Sequence, residues 1–294
     1  MKKIAVAVFV LVACAAAPAV AQTRCPPAGY TRAQLDALKG ADWALADDAA
    51  RNRLALGLAA CAGASDPTLR DGIAFEGLQH WLRAQQLTPE TMRALAANLQ
   101  TQMATPDRQG FRQPFAALIL SEVARADRVA PYLDASARTQ LLDASLQYFT
   151  NVRDYRGFDA HDGWRHGVAH GADLLLQLSV NPAFGKPELE RIRDAIETQV
   201  APDEHFYIYG ESERLARPIL YMAQRGLISE EEWTAWFARF PTAGEDMFRS
   251  QAGLARRHNV NAFLQVIWLN AKLSENTADD ALLPGAEAAI RAMP

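Results

Sequence analysis

From Thr31 onward, apolar residues recur at helical spacing, and the polar residues between them are those that start helices. Ser65-Asp66-Pro67 offers a cap followed by proline at a first helical position, and predicts a helix to about residue 85. Ile73, Gly77, Trp81 and Ala84 line one face of it. Thr88-Pro89 repeats the device for a helix to about residue 103. The same periodicity predicts helices over about 111–128, 134–151, 164–180 and 186–201. Ser229-Glu230-Glu231-Glu232 is a capping box, serine at the N-cap and glutamate at N3, opening a helix that carries Trp233, Trp236 and Phe237. Two further stretches, about 245–273 with a break near 257–259 and about 280–292, complete the set. Strand signals are nearly absent.

Helices joined by short Pro/Gly/Asp loops make the expected fold all-α. Pairs of some 35–45 residues match HEAT or armadillo units in length, so antiparallel helix pairs stacked as a superhelix are the predicted architecture. An α/α-toroid is the alternative, because pairs closing into a ring leave a similar trace. Residues 1–21 read as a signal segment, 22–46 as an N-terminal arm with the first helix, and 47–294 as a single helical domain.

The signal reading rests on basic Lys2 and Lys3, an apolar run over 4–13, and Ala19-Val20-Ala21 as an A-x-A cleavage site before Gln22. That run is too short to span a bilayer, and no later one is longer, so no transmembrane segment is expected in the mature chain. Leu11-Val12-Ala13-Cys14 also resembles a lipobox that would lipidate Cys14; the well-formed A-x-A site and the early position of Cys14 favour simple cleavage. The expected location is periplasmic or secreted. Removing Lys2 and Lys3 from 30 basic and 34 acidic residues leaves 28 against 34. That mild acidic excess, without a basic stripe, argues against nucleic acid as a partner. With 50% hydrophobic residues the chain can bury a real core. In an oxidising compartment, Cys25 and Cys61 are a disulfide candidate; the alternative is that Cys61 is a buried core thiol beside Leu54 and Leu58.

The densest chemistry lies in GWRHGVAHGAD, residues 163–173. On a helix, His166, His170, Asp173 and Gln177 fall on a stripe roughly 60° wide. The remaining surface of that helix is apolar except for Arg165, so the stripe should face partners or a cavity. Two imidazoles and a carboxylate at this spacing can hold a divalent metal, making His166, His170 and Asp173 a candidate ligand set. The glutamate of H-E-x-x-H is missing, because Gly167 stands there. His161 or His205 could supply a further ligand. The competing reading makes both histidines hydrogen-bonded packing residues, with no cofactor required.

Asp154 and Arg156 precede the stripe in a Gly-containing loop. Arg156 could bind an anionic group, or Asp154 could brace the turn while Arg156 pairs with Asp173 or Asp162. Glu211, Glu213, Arg214 and Arg217 have ordinary helix-surface spacings. Glu211 differs, because it follows Tyr207, Tyr209 and Gly210 at a helix entrance; near His166 or His170 it would complete an acid–base or metal centre. Candidate catalytic residues are therefore His166, His170, Asp173 and Glu211. Candidate ligand contacts are Asp154, Arg156, Trp164, His205, Tyr209 and Arg214. No nucleophile elbow, P-loop or dinucleotide fingerprint is present.

The runs SDPTLRDGIAFEGLQHWL, FRQPFAALIL, DYRGFDAHDGWRHGVAHGADLLLQL and FYIYGESERLARPIL resemble a bacterial family known as domain of unknown function 2785. The likeness covers about 65–240 and is sharpest in D-x-R-G followed by G-W-x-H-x-V-A-H-G-A-D-L-L. It implies a helical fold and brings no established activity. The chain departs from the pattern at Arg112-Gln113-Pro114-Phe115, where R-S-F-S is expected, and at Val152, where an acid is expected. Three functional readings follow: an exported helical protein with a polar centre that binds a small ligand, a metal-dependent or acid–base hydrolase or lyase, and an envelope protein-binding scaffold.

Overall fold

The computed structural model describes residues 25–240 and 247–293. The signal segment, Cys14 and residue 245 lie outside them. The chain starts with α1 (Arg32–Gly40), closed by a Thr31–Gln34 capping box, and α2 (Asp48–Leu58), whose first N–H groups bond to Asp47. A 3₁₀ turn over Ala59–Gly63 presents Cys61, joined by a disulfide to Cys25. The arm before residue 47 is part of the core: Trp43 sits edge-on to Trp81 at 5.9 Å and lies against Gly77, where a Cβ would be 2.8 Å from its ring.

The helix predicted from Ser65 is present but not uniform. It runs as α3 (Pro67–Leu69), a wide π-type segment Arg70–Phe75 and α4 (Glu76–Arg83). The wide turn carries Arg70, which is fully buried. Its guanidinium bonds the carbonyls of Ala64, Ser65 and Asp162 and lies over Phe111 and Phe115 at 4.2 and 4.6 Å.

The remaining elements are α5 (Pro89–Ala104), α6 (Arg112–Val129), α7 (Ala135–Thr150), a two-residue hairpin β1 (Phe158–Asp159) and β2 (Gly163–Trp164), then α8 (Gly167–Ser179), α9 (Lys186–Val200), α10 (Glu211–Ala223), α11 (Glu230–Phe237), α12 (Gln251–Leu273) and, after a 3₁₀ turn, α13 (Leu283–Ala292). The fold is all-α apart from that hairpin. Even-numbered helices pack in one row, α4 on α6 on α8 on α10 on α12, while α5, α7 and α9 form a second row against them. One apolar cluster runs from Leu35 to Ala289. α6 and α8 are its middle, buried on nearly every side by their neighbours; α8 is apolar nearly all round, whereas α6 also buries Ser121, Glu122 and Asp127. Among the described residues, no helix is long and apolar enough to cross a membrane.

Two expectations are corrected. α12 is continuous through 257–259. Asn259 there is fully buried and spends its amide on Tyr207 N–H (2.9 Å) and His205 C=O (2.8 Å), so a residue resembling a breaker is a clamp between α12 and a loop. α8 starts at Gly167, not Trp164. Residues 163 and 164 are held in the hairpin, where Trp164 pairs with Phe158, and His166 is left-handed (φ 58°), which ends any helix on its N-terminal side.

Candidate functional site

His166 is therefore the N-cap of α8, one residue outside the helix that carries His170 and Asp173. Its carbonyl accepts the first helical bond from His170 N–H at 3.0 Å. Glu211 is the first residue of α10, entered through left-handed Gly210. The two helix entrances meet: His166 Nε2 lies 3.8 Å from Glu211 Oε1. Glu211 also accepts a bond from Tyr209 N–H at 2.9 Å. The His166 and His170 rings are 5.6 Å apart, and His170 packs on the edge of Phe115 at 5.0 Å.

An aromatic wall closes one side. Trp164 stacks on His166 at 4.7 Å, with Tyr209 edge-on to Trp164 at 5.9 Å. Tyr209 lies flat on Gly157, where a Cβ would stand 2.0 Å from its ring, so position 157 accepts no side chain. His166 and His170 are 7% exposed and Glu211 2%. Backbone groups of Tyr209 and Pro114 lie near the two rings, yet among the described residues His166 Nε2 and His170 Nδ1 are without a hydrogen-bond partner.

Burial sets the protonation states. It pulls the His166 imidazole down to about 4, helped by the Arg214 charge, and pulls His170 well below its ordinary value, helped by His166 and Arg214. Burial raises the Glu211 carboxyl. The centre at neutral pH thus combines two neutral imidazoles with a carboxyl that holds its proton more tightly than usual.

Asp173 takes a different partner. Arg214 forms an ion pair with it, and burial still pushes Asp173 up to about 6 against the Arg214 and Arg217 charges. His166, His170 and Asp173 do not converge. Among the described residues, the only three or more ligand atoms within 4.8 Å of one another are those of Asp159, His161 and Asp162, at the hairpin tip. There Asp162 already bonds His161 Nδ1 at 2.7 Å and Arg165 at 3.0 Å.

Arg156 pairs with neither Asp173 nor Asp162. It takes both oxygens of Asp154, at 2.8 and 2.5 Å, and reaches the Gln109 carbonyl at 3.3 Å. His205 stacks on Tyr155 at 5.2 Å beside Tyr207. Spacing gave no sign of Arg70 or Tyr148. Arg70 fixes the hairpin through the Asp162 carbonyl, and Tyr148 donates from its buried hydroxyl to Gly167 C=O at 3.1 Å, holding the start of α8. Beside that bond a cleft of about 240 Å³ opens, lined in part by Gln113, Pro114, Tyr148, Val152 and Gly167.

The family described as protein of unknown function, DUF2785, matches residues 83–269, which include His166, His170, Asp173 and Glu211. The chain belongs to this family. The DUF2785 match starts at the last residue of α4 and reaches into α12, farther toward the C-terminus than the run of motifs from 65 to 240. Of the positions that depart from the DUF2785 motifs, Gln113, Pro114 and Val152 line the cleft beside the histidine centre, and Phe115 packs against His170 in the centre itself. No curated protein and no solved structure matches the chain.

Proposed function

We propose that the protein binds a small polar ligand between His166, His170 and Glu211, with Trp164 and Tyr209 as the aromatic wall. One observation carries this reading: two buried imidazole nitrogens lack hydrogen-bond partners beside a buried carboxyl. An unsatisfied buried polar atom costs about 1–3 kcal/mol, and folds retain that cost where the atoms have a use. A ligand carrying hydroxyl or amide groups meets both nitrogens, since each group can donate or accept. The test is ligand-observed NMR with a set of small alcohols, amides and carboxylic acids. Binders that lose affinity about tenfold in Glu211→Gln and in His170→Phe support the reading; binders indifferent to both substitutions refute it.

Acid–base catalysis is a second reading, favoured by the opposed shifts of a contacting pair. Burial raises the Glu211 carboxyl and lowers the His166 imidazole, which brings the proton affinities of the two groups toward each other and favours proton transfer at this pair. Glu211 would act as acid and His166 as base in a hydrolase or lyase reaction. Were a divalent metal used instead, Glu211 rather than Asp173 is the carboxylate to join the histidines, because Arg214 holds Asp173.

We further infer that the chain is exported to the periplasm or beyond, with 1–21 removed. The Cys25–Cys61 bond supports this, since disulfides persist in oxidising compartments. An open two-row stack, forming one domain over 47–294 with the arm attached, is the architecture that the continuous apolar cluster favours over a closed ring.

A further inference from the structure

The cleft of about 240 Å³ lies where α5, α6 and α7 meet residues 151–154. Its charged groups are spent within the protein. Asp107 accepts from the backbone N–H groups of Gln109, Phe111 and Arg112 at 3.0, 2.8 and 2.6 Å. Asp154 holds Arg156, and Arg153 donates to the carbonyls of Thr150 and Val152 at 3.0 and 2.6 Å. Asp107 and Arg153 keep opposite charges held by backbone bonds, and Arg156 neutralises Asp154, so the lining carries no net charge that would select an ionic ligand.

The wall amides are arranged differently. Gln100 donates to Ala96 C=O at 3.1 Å, Gln113 to Met103 C=O at 2.7 Å and Asn151 to Gln147 C=O at 2.7 Å. Each bond uses one N–H and orients the amide plane, and among the described residues that amide's carbonyl oxygen and second N–H have no further partner. Below them lies an apolar floor that includes Met103, Pro114, Tyr148 and Val152.

We propose that this cleft is a binding site for a neutral saccharide ring, held by the side-chain amides of Gln100, Gln113 and Asn151. A sugar hydroxyl both donates and accepts, so each one matches an amide that still offers one oxygen and one N–H. The apolar floor receives the C–H face of the ring. A peptide strand is disfavoured: it is recognised mainly through a free sheet edge or a long groove, and the helical backbone around this cleft is already bonded to itself. The volume lies below the roughly 300–1,000 Å³ of drug-sized pockets, which suits one ring rather than a chain. This site borders the histidine centre at Pro114 and Gly167 but is lined by neither imidazole, and its occupant is independent of the function proposed there.

The experiment is protein-observed NMR on the whole folded protein, titrated separately with glucose, N-acetylglucosamine and, as a neutral peptide, N-acetylalanine methylamide. The expected result is saturable binding of at least one sugar that shifts the side-chain amide signals of Gln113 and Asn151 and leaves the His166 and His170 ring signals in place. Gln113→Leu and Ala144→Trp, the second filling the cleft, each weaken it by about tenfold or more; melting curves show which variant is folded, and Gln113→Leu decides if Ala144→Trp is not. The proposal is overturned if neither sugar saturates, if the peptide binds as tightly, if the folded cleft variants bind normally, or if the sugar moves the imidazole signals instead. That last outcome would place the sugar at the histidine centre and leave the reading of that centre standing.

Discussion

Glu211 Oε1 lies 3.8 Å from His166 Nε2, joining the entrances of two helices that begin 44 residues apart, at Gly167 and Glu211. Both entrances pass through a left-handed residue, His166 at φ 58° and Gly210 at φ 86°. Buried together, the imidazole loses its proton more readily than usual and the carboxyl holds its own more tightly than usual, so His166 is neutral at neutral pH and the contact is not a charge pair.

Acid should therefore destabilise the fold through His166. The unfolded chain takes up a proton as pH falls through the ordinary histidine value of 6.5, whereas the folded chain does so only at about 4. Between these values protonation favours unfolding, by about 3 kcal/mol for this group at the acid end. Asp173, pushed up to about 6, works in the opposite direction, since its folded form takes up a proton first as pH falls. His166→Asn isolates the histidine contribution, because asparagine tolerates left-handed backbone. Urea denaturation at about pH 7 and about pH 4 should show wild type losing about 3 kcal/mol more than the variant; parallel losses would contradict the assignment.

Gly157→Ala should unseat Tyr209. A Cβ there would stand 2.0 Å from the Tyr209 ring, and overpacking of this kind costs about 1–3 kcal/mol. Tyr209→Ala removes the clash, so a double-mutant cycle measured by denaturation should show coupling of about 1 kcal/mol or more. Additive effects would mean that the two residues do not touch.

Replacing Cys25 and Cys61 with alanine should cost about 4 kcal/mol in the chain-entropy model, since the bond closes a loop with a sequence separation of 36. Chemical denaturation of the variant beside wild type gives the difference. A loss under about 1 kcal/mol would show that the arm is held by Trp43 packing alone.

Arg70→Met should destabilise by about 1–3 kcal/mol, since it leaves the carbonyls of Ala64, Ser65 and Asp162 without their donor. It also takes the guanidinium away from half-buried Asp71, 2.8 Å from it. Amide exchange across 158–164 should quicken before the rest of the fold opens. Unchanged exchange there would show that the hairpin does not depend on Arg70.

The capping box and the two cap-proline pairs placed the starts of three helices correctly, because a cap is satisfied by residues two or three positions away and needs nothing distant. Ser229–Glu232 and Thr88-Pro89 are examples. The centre was half legible. Two histidines and Glu211 could be singled out by type and position, but their arrangement depended on the left-handed turn at His166, which the hairpin imposes and no helical wheel represents. Asp173 looked like the third member of the set. Arg214, 41 residues later, takes it instead, and pairing over that separation leaves no periodic trace. Asn259 failed for the same reason: its partners are on a loop about 50 residues earlier. The cleft was invisible, since its amides belong to three separate helix segments and only packing gathers them.

The histidine ring nitrogens give the decisive measurement: a nitrogen-15 spectrum of both imidazoles at about pH 6, recorded across a titration with the small hydroxyl- or amide-bearing fragments that bind. The expected result is two neutral rings before addition, with His166 Nε2 and His170 Nδ1 shifting together as the fragment saturates. Rings already protonated at that pH, or ring signals that no bound fragment moves, would contradict the claim that these buried nitrogens are a ligand site.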